Sequence, residues 1–267
     1  MSSNAPPSSN QRSAVTRFVR YVFPPLVPLA LVLVGLELLV RGGIIRAFLV
    51  PPPSRVFQTL WVDRILLTKS LANTAIGSVV GFCFSALFGI AIAVALSSAR
   101  WVRRAFFPYA VFFQTVPIIA IAPLLVIWLG YGLPTAIASA FIASIFPVIA
   151  NTLTGLRSTD PALRDLFRLY GASAEDTFVK LRLPSALPNI LTGLRIGGGL
   201  AVIGSIVGEF IGGEGTLGDL ITAAIAQQRN DRVFAAVLLA SLLGLGLFGV
   251  ISLVSHLALR NWHPSER

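Results

Sequence analysis

The sequence predicts an all-α membrane protein with six transmembrane helices, and three observations carry that prediction. Of 267 residues, 55% are hydrophobic and only 12% are charged, whereas an average soluble domain carries roughly 25% charged residues. The mean hydropathy is +0.81, which excludes the low-hydrophobicity regime of disordered chains. The apolar residues also fall into separate runs, each able to cross a hydrocarbon core of about 30 Å, the shorter ones only just. The formal charge of +10 comes from 21 Lys+Arg against 11 Asp+Glu. A basic excess points to nucleic acid or to a membrane surface. With so apolar a chain, the positive-inside bias explains it and no nucleic-acid partner is expected. Cys83 is the one cysteine, so no intrachain disulfide forms, and no Cys/His cluster suggests a metal site.

Residues 1–22 are Ser/Pro/Asn-rich, then basic at Arg12, Arg17 and Arg20. They read as a disordered, cytoplasmic tail. A cleaved secretory signal would have an apolar region of about 7–15 residues and a small-residue cleavage site. Phe23–Val40 is longer and runs into Arg41-Gly42-Gly43, so an uncleaved first span is expected. The second span is Ala75–Leu96. Its Gly77, Gly81, Ser85 and Gly89 recur every four residues, which lines them along one helix face where another helix can approach closely. The third is Phe106–Leu129, carrying Pro108, Pro117 and Pro123. Three prolines should kink or break it. Broken backbone at membrane depth survives only where protein or a water-filled cavity covers it, so this span is either a kinked structural helix or part of a pathway lining. Gln114 and Thr115, just before Pro117, could bond a solute or a neighbouring helix. Trp128, Asn151 and Thr152 are further candidates of this kind. Spans Pro134–Ala150, Gly193–Ile211 and Val233–Leu257 complete the 23–257 transmembrane domain, and residues 258–267 form a C-terminal tail. Trp61, Trp101 and Trp262 fall near span ends and read as interface anchors.

If six helices cross, one side holds 13 basic residues and the other seven. Lys/Arg excess marks the cytoplasmic side, so both termini are expected there. Five of the seven lie in 41–70, namely Arg41, Arg46, Arg55, Arg64 and Lys69, and they run against this orientation.

The loop 151–192 is the most informative segment. Asp160 followed by Pro161 is a helix start, because the carboxylate caps free amides and proline suits the first position. Gly171 is a helix stop. Between them Leu163, Leu166, Phe167 and Tyr170 share one face. Ser173 and Asp176 have capping-box spacing, with Asp in place of Glu/Gln, and this second helix is expected to run until Pro184. A short amphipathic helix on such a loop either lies against its own bundle or bilayer, or fills a partner's groove.

Two carboxylates lie near membrane depth. Intramembrane carboxylates are costly and suggest function by default. Glu37 is one turn from Arg41, so an ion pair or snorkelling satisfies it. Glu209 precedes Gly212, Gly213, Gly215 and Gly218, a composition that predicts a non-helical turn. Glu209 either faces the pathway or its outer gate, or pins that turn by a hydrogen bond.

The stretch from Gly171-Ala172-Ser173 through Leu181-Arg182-Leu183-Pro184, then Pro188 and Gly193-Leu194-Arg195, resembles the EAA loop of bacterial ATP-binding-cassette (ABC) importer permeases. That pattern is E-A-A, three residues, G, nine residues, I-x-L-P. The spacing from Gly171 agrees, while Asp165-Leu166-Phe167 replaces Glu-Ala-Ala and Leu181 replaces Ile. Pro51-Pro52-Pro53-Ser54, Gln114-Thr115-Val116-Pro117, Ala122-Pro123-Leu124, Trp128-Leu129-Gly130-Tyr131-Gly132, Phe146-Pro147 and Gly208-Glu209-Phe210-Ile211-Gly212 are similar to the nitrate/sulfonate/taurine branch. That branch includes permeases for riboflavin and thiamine-pyrimidine precursors, and Gly204 to Phe210 and Trp262-His263 lean towards these.

The resemblance implies a type I (MetI-like) importer permease in a bacterial plasma membrane. It would work with a second permease copy, ABC ATPase subunits on the cytoplasmic side, and an extracytoplasmic substrate-binding protein. ATP and Mg²⁺ would act on the ATPase, with no cofactor on this chain. The ATPase contact would fall on Asp160, Leu163, Asp165, Leu166, Phe167, Tyr170, Gly171, Ala172, Leu183 and Pro184. The solute pathway would include Gln114, Thr115, Pro117 and Glu209, for a small heterocycle or small anion. Independently, the two lysines, Lys69 and Lys180, sit in no G-x-x-x-x-G-K-[ST] loop, so this chain is not expected to hydrolyse ATP. A stand-alone secondary transporter or channel is the alternative, and only the broken third span favours it. An intramembrane enzyme would need a catalytic constellation, and no H-E-x-x-H or G-x-S-x-G motif occurs.

Overall fold

In the computed structural model the described residues are 27–259, and they are helical with connecting turns. They fall into two units, one ending at Val62 and one starting at Asp63. In the first, helix α1 covers 27–41 and α2 covers Pro53–Val62. The expected start of the first span, 23–26, lies outside the described residues. Glu37 sits where the ion-pair reading put it. Its carboxylate accepts from Arg41 Nε at 2.6 Å, and also from the Ser54 amide at 3.0 Å and hydroxyl at 2.7 Å. The carboxylate therefore caps the first turn of α2, where free amides favour an anion.

The second unit contains α3 (Arg64–Ser98), α4 (Arg100–Thr115), α5 (Ile118–Leu129), α6 (Leu133–Arg157), α7 (Pro161–Leu169), α8 (Ala174–Thr177), α9 (Leu183–Gly212), α10 (Leu217–Ala226) and α11 (Asn230–Leu259). A π-helical turn over Phe178–Arg182 joins α8 to α9. Among the described residues, four helices are long and apolar enough to cross a membrane: α3, α6, the continuous Ala174–Gly212 and α11.

Small residues set the packing. The buried face of α3 runs through Thr74, Gly77, Gly81, Ser85, Gly89 and Ala93, as the four-residue period predicts. A β-carbon placed on Gly81 would lie 2.6 Å from Ala140 Cβ and from the Ile137 carbonyl oxygen, so only glycine permits this approach. Gly77 faces Ala136 and Gly89 faces Val148. The two numberings rise together, so α3 and α6 are parallel. On α9, Gly193 faces Asn151, Gly197 faces Val148, Gly204 faces Ala143 and Gly212 faces Thr135. These numberings run in opposite senses, so α9 is antiparallel to α6. Arg195 donates to Ser255 at 3.2 Å and Gly198 faces Ile251, which makes α11 antiparallel to α9. The N-terminal ends of α3, α6 and α11 therefore share one end of the bundle with the C-terminus of α9. The opposite end holds the C-termini of α3 and α6, and α7.

Three expectations are corrected. The fourth span does not stop at Ala150, because α6 continues to Arg157. The loop helix does not stop at Pro184: helix runs unbroken from Ala174 to Gly212. Pro184 stands in the first turn of α9, and the preceding π turn, in which the Leu183 amide donates to the Phe178 carbonyl, takes up the change in ladder. Of the three prolines in the third span, only Pro117 interrupts it. Pro108 and Pro123 stay inside α4 and α5.

Candidate functional site

Helix α7 is defined sharply at both ends. Asp160 is its N-cap, its Oδ1 accepting the Ala162 amide at 2.9 Å, with Pro161 in the first turn. At the other end Gly171 takes φ +69°. The Gly171 amide donates to the Arg168 carbonyl at 3.1 Å and the Ala172 amide to the Phe167 carbonyl at 3.0 Å, which is the Schellman pattern of a left-handed glycine stop. Among the described residues, α7 buries none of its side chains. Leu163, Leu166 and Tyr170 are exposed and Phe167 is half-buried. Asp165 is exposed and meets Arg168 only at 3.9 Å.

After the turn, Ser173 caps α8, accepting the Asp176 amide at 3.0 Å and donating its hydroxyl to Asp176 Oδ2 at 2.7 Å. The Asp176 carboxylate also takes a backbone bond from Ser173, so Asp fills the role that Glu or Gln has in a capping box. The helix Ala174–Gly212 has 39 residues, about 58 Å at 1.5 Å per residue, which is longer than a 30 Å core requires. In its first turns Lys180 pairs with Asp176 at 2.5 Å. The Lys180 bond, followed by that of the Ser173 hydroxyl, holds the Asp176 carboxyl below the usual carboxylate range. Leu183 and Phe178 pack on the cluster of Leu156, Ala186 and Ile190, which roots the loop in α6 and α9. Pro184 is half-buried beside Leu183.

Gln114, Thr115 and Pro117 lie at the break between α4 and α5. With Ile142, Ala143 and Phe146 they line a recess of about 290 Å³. Those partners sit midway along α6, so the break lies at mid-depth. The Thr115 hydroxyl is spent on the Phe112 carbonyl at 2.8 Å, while Gln114 is exposed. Trp128 is exposed. The Asn151 amide donates to the Pro147 carbonyl at 2.8 Å, and Thr152 is fully buried with its hydroxyl unpartnered.

Glu209 lies at the bundle end opposite α7 and is only 1% exposed. Its Oε2 accepts the Thr74 hydroxyl at 2.9 Å and the Gly218 amide at 3.0 Å, and its Oε1 accepts the Ser205 hydroxyl at 2.9 Å. The same Thr74 oxygen accepts the Leu217 amide at 2.9 Å. Asn73 donates to the Gly215 carbonyl at 2.8 Å, and Asp219 accepts the Gly215 amide at 2.9 Å. The glycine turn is thereby fastened to α3. These bonds have the geometry of the pinning alternative. The structure brings the loop residues together and Gln114 to Pro117 together, but it sets these groups and Glu209 at three different depths.

Sequence reasoning missed several of these groups. Asp63 accepts from Arg232 Nε at 2.9 Å and from Arg229 at 3.4 Å, and Arg229 also donates to Asp231 at 3.0 Å. This cluster ties the start of α3 to the α10–α11 connection, and it pairs the two basic residues of that side, Arg229 and Arg232, that lie outside 41–70. Helix α10 was also missed, although Thr216 and Asp219 have cap spacing, the Thr216 hydroxyl accepting the Asp219 amide at 3.3 Å.

The family described as binding-protein-dependent transport system inner membrane component matches residues 85–260. A probable ABC transporter permease protein of Haemophilus influenzae is 34% identical over 232 residues, covering 87% of this chain and 95% of that protein. The formylaminopyrimidine transport permease protein ThiX of Halalkalibacterium halodurans is 35% identical over 215 residues, covering 80% and 86%. The fold matches that of a chain in the inward-facing MetNI methionine ABC transporter, with a TM-score of 0.59 and 20% identity over 72% of this chain and 97% of that one.

Proposed function

Because this chain belongs to the family of binding-protein-dependent transport system inner membrane components, and so is the permease subunit of an ABC importer, we propose that α7 and its flanks receive the force of a separate ATPase. The observation that carries this is a rigid, doubly capped helix that leaves Leu163, Leu166 and Tyr170 exposed at one end of the bundle. An amphipathic helix with an uncovered apolar face fits a partner's groove. ATP and Mg²⁺ belong to that partner. Co-purification of the importer tests the docking. Leu166→Glu combined with Tyr170→Glu is expected to abolish ATPase binding and uptake while leaving membrane insertion intact. Retention of the ATPase by this variant would overturn the proposal.

In the six-span reading, α1 and the α4–α5 pair join the four long helices. The parallel run of α3 and α6 supports one crossing between them, which the α4–α5 pair would supply. Arg157, Arg164, Arg168, Lys180 and Arg182 cluster at the α7 end, which supports a cytoplasmic placement of that end and of both termini in the inner membrane. Two copies would enclose the pathway, lined by Gln114, Thr115 and Pro117 at the broken span. Glu209 would serve the outer gate by holding the 213–218 turn, and an extracytoplasmic binding protein would deliver solute there. Similarity to a formylaminopyrimidine permease supports a small pyrimidine-like solute. Mass spectrometry of the binding protein mixed with formylaminopyrimidine and taurine decides between a heterocycle and a sulfonate.

A further inference from the structure

The last carbonyls of a helix lack intrahelical partners and need donors from elsewhere. At the C-terminus of α6 each is accounted for. The Ser158 amide serves Thr154 at 3.0 Å and Gly155 at 3.2 Å, and its hydroxyl also serves Gly155 at 2.9 Å. The two that remain go to arginines of the loop. Arg182 Nε donates to the Leu156 carbonyl and Arg164 Nη2 to the Arg157 carbonyl, each at 3.3 Å. Arg164 belongs to α7 and Arg182 to the π turn, so the two guanidinium groups approach one helix end from opposite sides of Gly171. Cations suit this end of a helix dipole.

We propose that Arg164 and Arg182 are positioning residues that transmit the movement of α7 to α6. The proposal rests on the docking reading above, and it changes the route by which force travels. A path through Gly171 and Leu183-Pro184 alone would lead into α9. Among the described residues α7 has no fully buried residue, so the Arg164 bond is one of the few side-chain attachments it has, beside the half-buried Phe167. Arg164 is also poorly arranged for stability, since its Nε is buried without a partner, and an unpaired buried donor is costly. Arg182 is braced over the Phe178 ring at 5.9 Å, and Phe178 packs on the Leu156 cluster. Helix α6 in turn presents its small residues to both α3 and α9, so a displacement of its end carries two neighbouring helices with it.

The test uses the complete importer, with ATPase and binding protein, in proteoliposomes, comparing Arg164→Gln, Arg182→Gln, the double variant and Arg164→Lys. The ATPase should co-purify normally with all four and basal hydrolysis should persist. Stimulation by loaded binding protein should fall about tenfold in the double variant, equivalent to about 1.4 kcal/mol of lost coupling, and Arg164→Lys should recover part of it. A merely structural role would lower the melting temperature and leave the stimulation ratio unchanged, which would overturn the proposal. Loss of ATPase co-purification in the Gln variants would also overturn it, by placing the arginines in docking itself. Failure of the docking reading is separate, because it appears as ATPase retained by the Leu166→Glu, Tyr170→Glu variant.

Discussion

The Thr74 hydroxyl donates to Glu209 at 2.9 Å across 135 residues of sequence, and the same oxygen accepts the Leu217 amide. One hydroxyl thus joins α3, the end of α9 and the start of α10.

Thr74→Val keeps the shape and removes both bonds. It leaves the Leu217 amide and one carboxylate lone pair unpaired in a buried setting, at a cost of about 1–3 kcal/mol each. Glu209→Ala should cost more, because it also strips Ser205 and Gly218 of their acceptor. Thermal unfolding of the purified permease should rank wild type above Thr74→Val and Thr74→Val above Glu209→Ala. Glu209→Gln should keep solute selectivity in uptake assays, and altered selectivity would return the side chain to the pathway.

Gly171 holds φ +69°, a region that costs other L-residues roughly 1–2 kcal/mol. Gly171→Val should unwind the Schellman stop and re-aim α7 while leaving the spans intact. The protein should insert normally but lose ATPase co-purification and uptake. A variant that retains both would show that this turn tolerates other geometries.

Close helix approach gives a paired prediction. Gly81→Ala places a β-carbon 2.6 Å from Ala140 Cβ and the Ile137 oxygen, and forced separation of packed elements costs about 1–3 kcal/mol. Gly244 on α11 has no other atom within 4 Å of its would-be β-carbon. Gly244→Ala should be neutral or stabilising by about 0.5–1 kcal/mol through helix propensity. Melting temperatures in detergent should move in opposite senses.

Asp63 serves two arginines, with Asp63 and Arg232 each 15% exposed at the side chain. Asp63→Asn should destabilise the permease by about 1–2 kcal/mol through weakened charge-assisted bonds. Arg232→Gln should cost less, because Arg229 remains near Asp63. Thermal shifts at low and high salt check this, since the difference between wild type and Asp63→Asn should narrow as salt screens the pair.

The legible features were those written locally in the chain. The four-residue glycine period fixed the face of α3, because only small side chains allow backbone contact. Asp160-Pro161 and Gly171 fixed the ends of α7, because caps act within a turn of their own position. Glu209 was legible as a costly carboxylate, but its partners were not. Thr74 reaches it only because α9 lies antiparallel to α3, and that relationship is set by packing between distant segments. The continuity through Pro184 was hidden for a different reason. Proline costs a helix little in its first turn, and a π turn leaves no compositional mark. Thr216 and Asp219 carried a visible cap signal that the surrounding glycines obscured.

The π turn at Phe178–Arg182 has a consequence of phase. An α-helix advances about 100° per residue, so a widened turn shifts the azimuth of everything beyond it without changing composition or charge. Gly171 and α7 leave the rod formed by α8 and α9 in a direction that an unbroken helix would not give. Removing one residue from that turn would swing the loop around the bundle by roughly a quarter of a revolution. The permease thus stores part of the aim of its exposed helix as an angle in the helical ladder, beside the contacts that hold it.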